Sequence, residues 1–212
     1  MTLHVRHELH LTRKAWHFSM GALMANIYYN GMSRENAFSI LTLAFSAIVF
    51  LEWFRLNVPQ FNDWAIRLWR PFMRTNEIDH VSGTPWYIAS AAIVIVVFPK
   101  EIALLTMLYL ACGDPTSSII GIKYGSYGPR FKDGKSWIGT LGGVLVCVLI
   151  GLFFFRHLSH HLTTWLVLSI GSGISGGAAE LLPLDVDDNF SIPLVSGLVT
   201  WILAVILGVS IF

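Results

Sequence analysis

Apolar residues come in long blocks separated by short polar breaks. Seven blocks stand out, at roughly Ala15–Tyr29, Ala37–Phe54, Pro85–Phe98, Ile102–Ile122, Trp137–Phe155, Trp165–Leu182 and Ile192–Phe212. None alternates with the period of two that barrel strands require. In lipid a segment of this length must satisfy its backbone internally, so each block predicts a helix. The third block is short against a hydrocarbon layer of about 30 Å, which implies tilt or partial embedding. The longest break, residues 55–84, has another pattern. Phe61, Trp64, Leu68, Trp69 and Phe72 recur at helical spacing, with Asp63, Arg67, Arg70 and Arg74 on the other face. Aromatic residues opposite arginines predict an amphipathic helix in the headgroup layer. The pattern therefore predicts an all-α polytopic membrane protein of about seven transmembrane helices, with one interfacial helix between the second and third spans. No internal repeat or soluble domain interrupts residues 1–212.

Composition agrees. Hydrophobic residues make up 54% of the chain and charged residues 13%, about half the usual 25%, and the mean hydropathy is +0.62. A net charge of +1 gives no footing for nucleic acid. Cys112 and Cys147 both fall in apolar blocks, which argues against a disulfide framework. The first dozen residues are polar and His-rich without a cleavage pattern, so the first helix is expected to stay in the mature protein. With seven spans, Arg6, Arg13, Lys14, Arg55, Arg67, Arg70, Arg74, Lys123, Arg130, Lys132 and Lys135 share one side, against Arg34, Lys100 and Arg156 on the other. That asymmetry predicts a cytoplasmic N-terminus and an external C-terminus. It also puts Asp187 and Asp188 on the cytoplasmic side.

Against this background Asp114 is out of place. A carboxylate inside a span costs about 2.5–3.5 kcal/mol on insertion scales and calls for a partner or a function. Ser117, Ser118 and Gly121 follow at helical spacing, and Pro115 predicts a break or kink beside the acid. The loop Gly128–Ser136 then supplies Arg130, Lys132 and Lys135 among glycines. Gly134-Lys135-Ser136 resembles the end of a Walker A loop, but Pro129 stands where its first glycine is required and a span follows. A P-loop is therefore rejected, although Lys123, Lys135, Ser136 and Gly139 can still cradle phosphates.

Three further groups carry polar chemistry. Arg13, Lys14 and His17 share a face at the start of the first span, where they serve either orientation or phosphate contact. Glu52 and Arg55 fit an i,i+3 ion pair, or a pair that orients a ligand-binding group. Glu180, Asp185, Asp187, Asp188 and Asn189 follow Gly173, Gly176 and Gly177, glycines that admit a close neighbour. With Asp114, these acids could hold Mg²⁺ beside nucleotide phosphates. His157, His160 and His161 lie on the opposite side without a buried carboxylate and read as an exposed loop rather than a zinc site.

Taken together the motifs resemble those of the CTP-dependent lipid-alcohol kinases, the dolichol, phytol and CTP-using diacylglycerol kinases. The residues concerned are Arg13-Lys14-x-x-His17, Leu51-Glu52-x-x-Arg55, Arg74-x-x-Glu77 with Ser82-Gly83, Gly113-Asp114-Pro-Thr-Ser-Ser-Ile-Ile-Gly121, Lys135-Ser136-x-x-Gly139, and Glu180 with Asp188-Asn189-x-x-x-Pro193. Ser117 and Ser118 stand where that family often has alanine. The resemblance implies one integral-membrane catalytic domain that moves the γ-phosphate of CTP to a lipid alcohol such as a polyprenol, phytol or diacylglycerol.

It also implies roles. Arg13, Lys14, Asp114 and Gly121 matter for activity. Asp114 with Glu180 or Asp188 holds Mg²⁺, while Lys135, Ser136, Arg13 and Lys14 contact phosphates. His17, Lys123, Gly139 and Asn189 complete the nucleotide site, and the general base is left open. The short chain suits a prokaryotic plasma membrane rather than the endoplasmic reticulum, and a homo-oligomer is compatible with it. Two alternatives stay open. One is a cytidylyltransferase acting on phosphatidate, although the C-terminal signature of those enzymes is missing. The other is a small transporter, for which paired halves are missing.

Overall fold

Each apolar block becomes a helix, and short polar residues set where the helices begin. The computed structural model describes residues 11–131, 134–156, 161–184 and 186–210. Arg6, Lys132, Asp133, His157, His160, Asp185 and Phe212 lie outside the described residues. The helices are α1 (Leu11–Tyr29), α2 (Arg34–Asn57), α3 (Pro59–Trp69), α4 (Gly83–Val97), α5 (Lys100–Leu108), α6 (Asp114–Tyr124), α7 (Trp137–Phe155), α8 (Leu162–Ala178) and α9 (Asp188–Ile206). Ser33, Ser82, Ser136 and Asp187 cap α2, α4, α7 and α9, each side chain accepting a first-turn N–H. α9 ends at Ile206 rather than continuing to Phe212, because Gly208 turns the chain at φ +64°.

Five helical stretches are long and apolar enough to cross a membrane: Arg34–Asn57, Lys100–Tyr127, Trp137–Phe155, Leu162–Leu181 and Asp188–Ile206. Two of the seven expected spans fall outside that measure. α4 has only 15 residues, and α1 carries Arg13, Lys14 and His17 in its first two turns. The break between α2 and α4 does contain a helix, α3, with Trp64, Leu68 and Trp69 exposed. Phe72 lies beyond its end in a 3₁₀ turn.

The centre of the molecule is the broken helix α5–α6. Its two halves are joined by a π-helical turn at Tyr109–Gly113, and 67% of its most apolar stretch is buried. Pro115 explains the break, since a proline has no N–H to donate to the preceding turn. Thr116 Oγ1 satisfies the carbonyl of Cys112 at 2.7 Å. The turn is wedged by Tyr109, which is fully buried and hydrogen-bonded to Ser172 Oγ at 2.8 Å. Gly176 makes room for that ring, because a Cβ there would sit 2.6 Å from it. α1, α7, α8 and α9 all pack against the turn. α7 and α8 approach backbone to backbone where Gly173 meets Val148. α2 stays at the edge, held by α3 and α4, with 6% of its most apolar stretch buried.

Candidate active site

The helix break builds the site. Asp114 opens α6 immediately after the π-helical turn and faces a cavity of about 450 Å³. α1 supplies Arg13, Lys14 and His17, and the segment before α4 supplies Arg74. Ser117, Ser118, Gly121 and Ile122 come from α6. Arg130, Gly134, Lys135, Ser136 and Gly139 come from the following loop and α7, and Glu180, Asp188 and Asn189 from the end of α8 and the start of α9. Eleven of the twelve residues expected at the site therefore line one cavity.

Lys123 is the exception. Nine residues beyond Asp114 puts it half a turn away on the helix, where it is exposed with its ammonium 5.2 Å from the Tyr124 ring. It is corrected to a surface residue. Arg74, Ile122, Arg130 and Gly134 also line the cavity; Arg130 and Gly134 belong to the basic loop and Arg74 begins one of the motifs, whereas nothing in the sequence marks Ile122.

Most of the charges hold one another. Arg13 Nη1 donates to both carboxylate oxygens of Glu77 at 3.1 Å. Glu77 is buried, and it also accepts from Arg74 N at 2.8 Å and Gly83 N at 3.4 Å. Arg13 is thus tied to the segment between α3 and α4. Lys135 Nζ donates to both oxygens of Asp188 at 3.1 Å and to the Glu180 carbonyl. Glu180 is buried, and its Oε1 accepts from Ser117 Oγ at 2.7 Å and Thr140 Oγ1 at 2.8 Å. Two groups are less committed. Lys14 Nζ is shielded from solvent without a hydrogen-bond partner. Asp114, 24% exposed, meets His17 Nδ1 at 3.5 Å.

Other expected residues have structural work. Ser136 Oγ accepts from Gly139 N at 3.0 Å and caps α7. Gly121 and Gly139 let α6 and α7 touch: a Cβ at Gly139 would lie 2.6 Å from the Ser117 carbonyl and 2.9 Å from Gly121 Cα. Asn189 Nδ2 donates to Gly83 O at 3.4 Å, and its own carbonyl accepts from Ser90 Oγ at 2.7 Å, joining α9 to α4. The described residues on either side of the basic loop pair with each other. Phe131 N donates to Lys135 O at 2.8 Å, Trp137 N to Pro129 O at 3.2 Å, and Arg130 Nη1 to Gly134 O at 2.8 Å. Phe131 stacks on Trp137 at 4.5 Å, and Gly134 takes φ +86°, a backbone that favours glycine.

Glu52 and Arg55 lie outside the cavity as a 2.7 Å ion pair. Arg55 holds the carbonyls of Ile78 and His80, and Glu52 holds Ser82, so the pair braces the chain leading into α4. His161 precedes α8 at the end opposite Glu180, about 28 Å away at 1.5 Å per residue.

Asp114, Glu180 and Asp188 line the same cavity. Among the described residues no three His, Cys, Asp or Glu side chains form a metal-binding group. Glu180 is occupied by hydroxyls and Asp188 by Lys135, which leaves Asp114 as the acid of the three held by neither a hydroxyl nor a lysine. That set still fits Mg²⁺, which needs only one or two carboxylates when phosphates supply the other oxygens.

Comparison with known proteins bears on this geometry. The chain is 32% identical to the CTP-dependent diacylglycerol kinase 1 of Schizosaccharomyces pombe, over 93% of this chain and 94% of that protein. It is 29% identical to the CTP-dependent diacylglycerol kinase 1 of Saccharomyces cerevisiae, over 91% of this chain and 72% of that one. The probable phytol kinase 1, chloroplastic, of Oryza sativa is 29% identical over 57% of this chain and 42% of its own length. No family model matches the chain, and no solved structure matches it.

Proposed function

We propose a reaction for this chain, which belongs to the CTP-dependent lipid kinase family: transfer of the γ-phosphate of CTP to the hydroxyl of a membrane lipid alcohol, either a diacylglycerol or a prenol-type alcohol such as phytol or a polyprenol. The observation that carries it is the charge balance of the cavity. Arg13, Lys14, Arg74, Arg130 and Lys135 line the cavity with Asp114, Glu180 and Asp188; with Glu77 behind Arg13, five cations meet four acids and the excess suits a polyphosphate. Phosphoryl transfer asks chiefly for positioning and charge neutralisation. Lys14, whose ammonium lacks a hydrogen-bond partner, is the readiest phosphate contact, and Arg74 and Arg130 flank it from two other segments. Asp114 would hold Mg²⁺ together with the phosphates, with Glu180 and Asp188 setting the positions of Ser117 and Lys135 around it. Bound there, the ion would neutralise charge on the transferring phosphoryl group.

Depth in the membrane sets how far the acceptor must reach. The helical stretch Lys100–Tyr127 has 28 residues, about 42 Å at 1.5 Å per residue against a hydrocarbon layer of about 30 Å. Asp114 lies near the middle of that stretch, about 20 Å from either end, so the hydroxyl would have to reach it inward from the cytoplasmic interface through the cavity. The excess of basic residues on this side orients the cavity and the N-terminus to the cytoplasm and the C-terminus outside. On the same reading α1 and α4 complete seven spans, and α3 lies in the headgroup layer.

The test is purified protein supplied with γ-labelled CTP or ATP and a panel of lipid alcohols. Labelled lipid with CDP as co-product supports the reading. Pyrophosphate release with a cytidylylated lipid, or transfer only from ATP, overturns it.

A further inference from the structure

After Pro115, α6 carries three hydroxyl side chains in a row, Thr116, Ser117 and Ser118. A hydroxyl inside a helix either points outward or bonds the carbonyl four residues earlier. Thr116 takes the second course and donates to Cys112 O at 2.7 Å. Ser117 Oγ donates to Glu180 Oε1 at 2.7 Å. Ser118 does neither: among the described residues its hydroxyl has no hydrogen-bond partner, although the Asp114 carbonyl stands four residues before it. Helical phase explains the difference. At about 100° per residue, Thr116 falls on the far side of α6 from Asp114, while Ser117 lies about 60° to one side and Ser118 about 40° to the other. Ser118 therefore lines the cavity next to Asp114, with Lys14 of α1 on the same cavity.

Asp114 meets His17 Nδ1 through Oδ2 at 3.5 Å, which leaves Oδ1 for a ligand. Side chains four residues apart on a helix have Cβ atoms about 5–6 Å apart, close enough for a carboxylate and a hydroxyl to converge on one small ion. Resting on the reading that Asp114 holds Mg²⁺ together with the nucleotide phosphates, we infer that Ser118 Oγ is the second protein oxygen of that cation site. Mg²⁺ is held by few protein groups beside substrate phosphates, and a serine or threonine hydroxyl is one of them in the P-loop enzymes. The other two acids of the cavity are worse placed to join. Glu180 would first have to release Ser117 and Thr140, and Asp188 would have to release Lys135. Ser118 releases nothing, and as a neutral ligand it leaves the charge of the site unchanged. It also lies on the cytoplasmic side of Asp114, in the orientation given above, which is the side from which a nucleotide arrives.

The test reads the cation without turnover. The protein in detergent, with a CTP analogue whose β–γ bridging oxygen is replaced by methylene, is titrated with Mn²⁺. Free Mn²⁺ is followed by its EPR signal, and binding to the analogue alone is subtracted. Ser118→Ala should weaken Mn²⁺ binding at least about tenfold, whereas Ser118→Thr, which keeps the hydroxyl, should bind as wild type does. Asp114→Asn is the reference and should lose the site. Wild-type affinity in Ser118→Ala beside a loss in Asp114→Asn overturns the inference and leaves the Asp114 assignment standing; wild-type affinity in both overturns the two together. A kinetic arm addresses the other use of a free hydroxyl. Ser118→Ala should raise the Mg²⁺ concentration for half-maximal rate about tenfold and leave KM for the lipid alcohol unchanged. A raised lipid KM with unaltered Mn²⁺ affinity would place Ser118 on the acceptor hydroxyl and overturn the inference. Because the titration needs neither lipid nor phosphate transfer, its failure is distinguishable from a failure of the kinase reading.

Discussion

The Arg13–Glu77 pair tests whether the cavity is positioned by charges drawn from distant segments. Both side chains are largely buried, at 19% and 6% exposure, and two Nη1–oxygen contacts of 3.1 Å join them. Removing one partner of a fully buried pair costs about 3–5 kcal/mol, chiefly because the other charge is stranded. Glu77→Gln leaves the Arg13 guanidinium facing a neutral amide, and a loss of about 3 kcal/mol is expected. Arg13→Gln should cost less, about 2 kcal/mol, because Glu77 keeps the N–H groups of Arg74 and Gly83. The double variant strands neither charge. It should therefore be more stable than the sum of the singles by about 2 kcal/mol. The assay is denaturant unfolding in detergent followed by tryptophan fluorescence, run beside steady-state kinetics with CTP. If Glu77 acts by holding Arg13, kcat/KM for CTP falls about tenfold in either single variant, close to the 1.4 kcal/mol of one lost contact, and no further in the double. Additive stability changes, or additive losses in kcat/KM, would refute the coupling.

Four other outcomes follow. Asp114→Asn should abolish turnover while preserving insertion and folding, since it removes a costly charge; near-normal activity at saturating Mg²⁺ would end the metal assignment. Lys135→Arg can still pair with Asp188, so a bracing role predicts unchanged kinetics, whereas a phosphate contact predicts a raised CTP KM and a ten- to hundredfold loss in efficiency, about 1.5–3 kcal/mol. Gly139→Ala should destabilise more than Gly121→Ala, by thermal unfolding, because its Cβ would crowd the backbone of Ser117 and Gly121 at 2.6 and 2.9 Å, while the other crowds the Ser136 hydroxyl at 2.9 Å and meets backbone only at 3.5 Å. A reporter fused at the C-terminus should be active only outside the cytoplasm and one in the basic loop only inside; a cytoplasmic C-terminus would mean an even number of spans.

What could be read from the chain depended on whether the signal was local. The helices were legible because seven apolar blocks leave few other structures in lipid, and their ends were displaced mainly where polar caps such as Ser82 and Asp187 extend a helix beyond its apolar part. The break at Asp114 was legible from Pro115, but the π-helical form it takes depends on Tyr109 reaching Ser172 on another helix. Asp114, Lys135, Glu180 and Asp188 could be named from charge in apolar context, because an acid or a cation near a span needs a reason wherever it sits. Their pairing could not, since Lys135 and Asp188 are 53 residues apart and Arg13 and Glu77 are 64. Lys123 failed for a related reason: in the sequence it is one more cation near the basic loop, and only helical phase sends it to the opposite face from Asp114.

The pairing changes what each charge is for. Arg13 and Lys135 would be counted as free phosphate ligands from the sequence, yet each already answers an acid. Their work in the resting protein is to fix α1 against the segment before α4, and the basic loop against α9. The groups left to receive a ligand are then Lys14, Arg74 and Arg130 for a polyanion and Asp114 for a cation, all lining one cavity. An active site built in this way is assembled by the same charges that surround its substrate. A substitution at a braced residue should therefore appear first in stability, and one at Lys14 or Asp114 first in turnover.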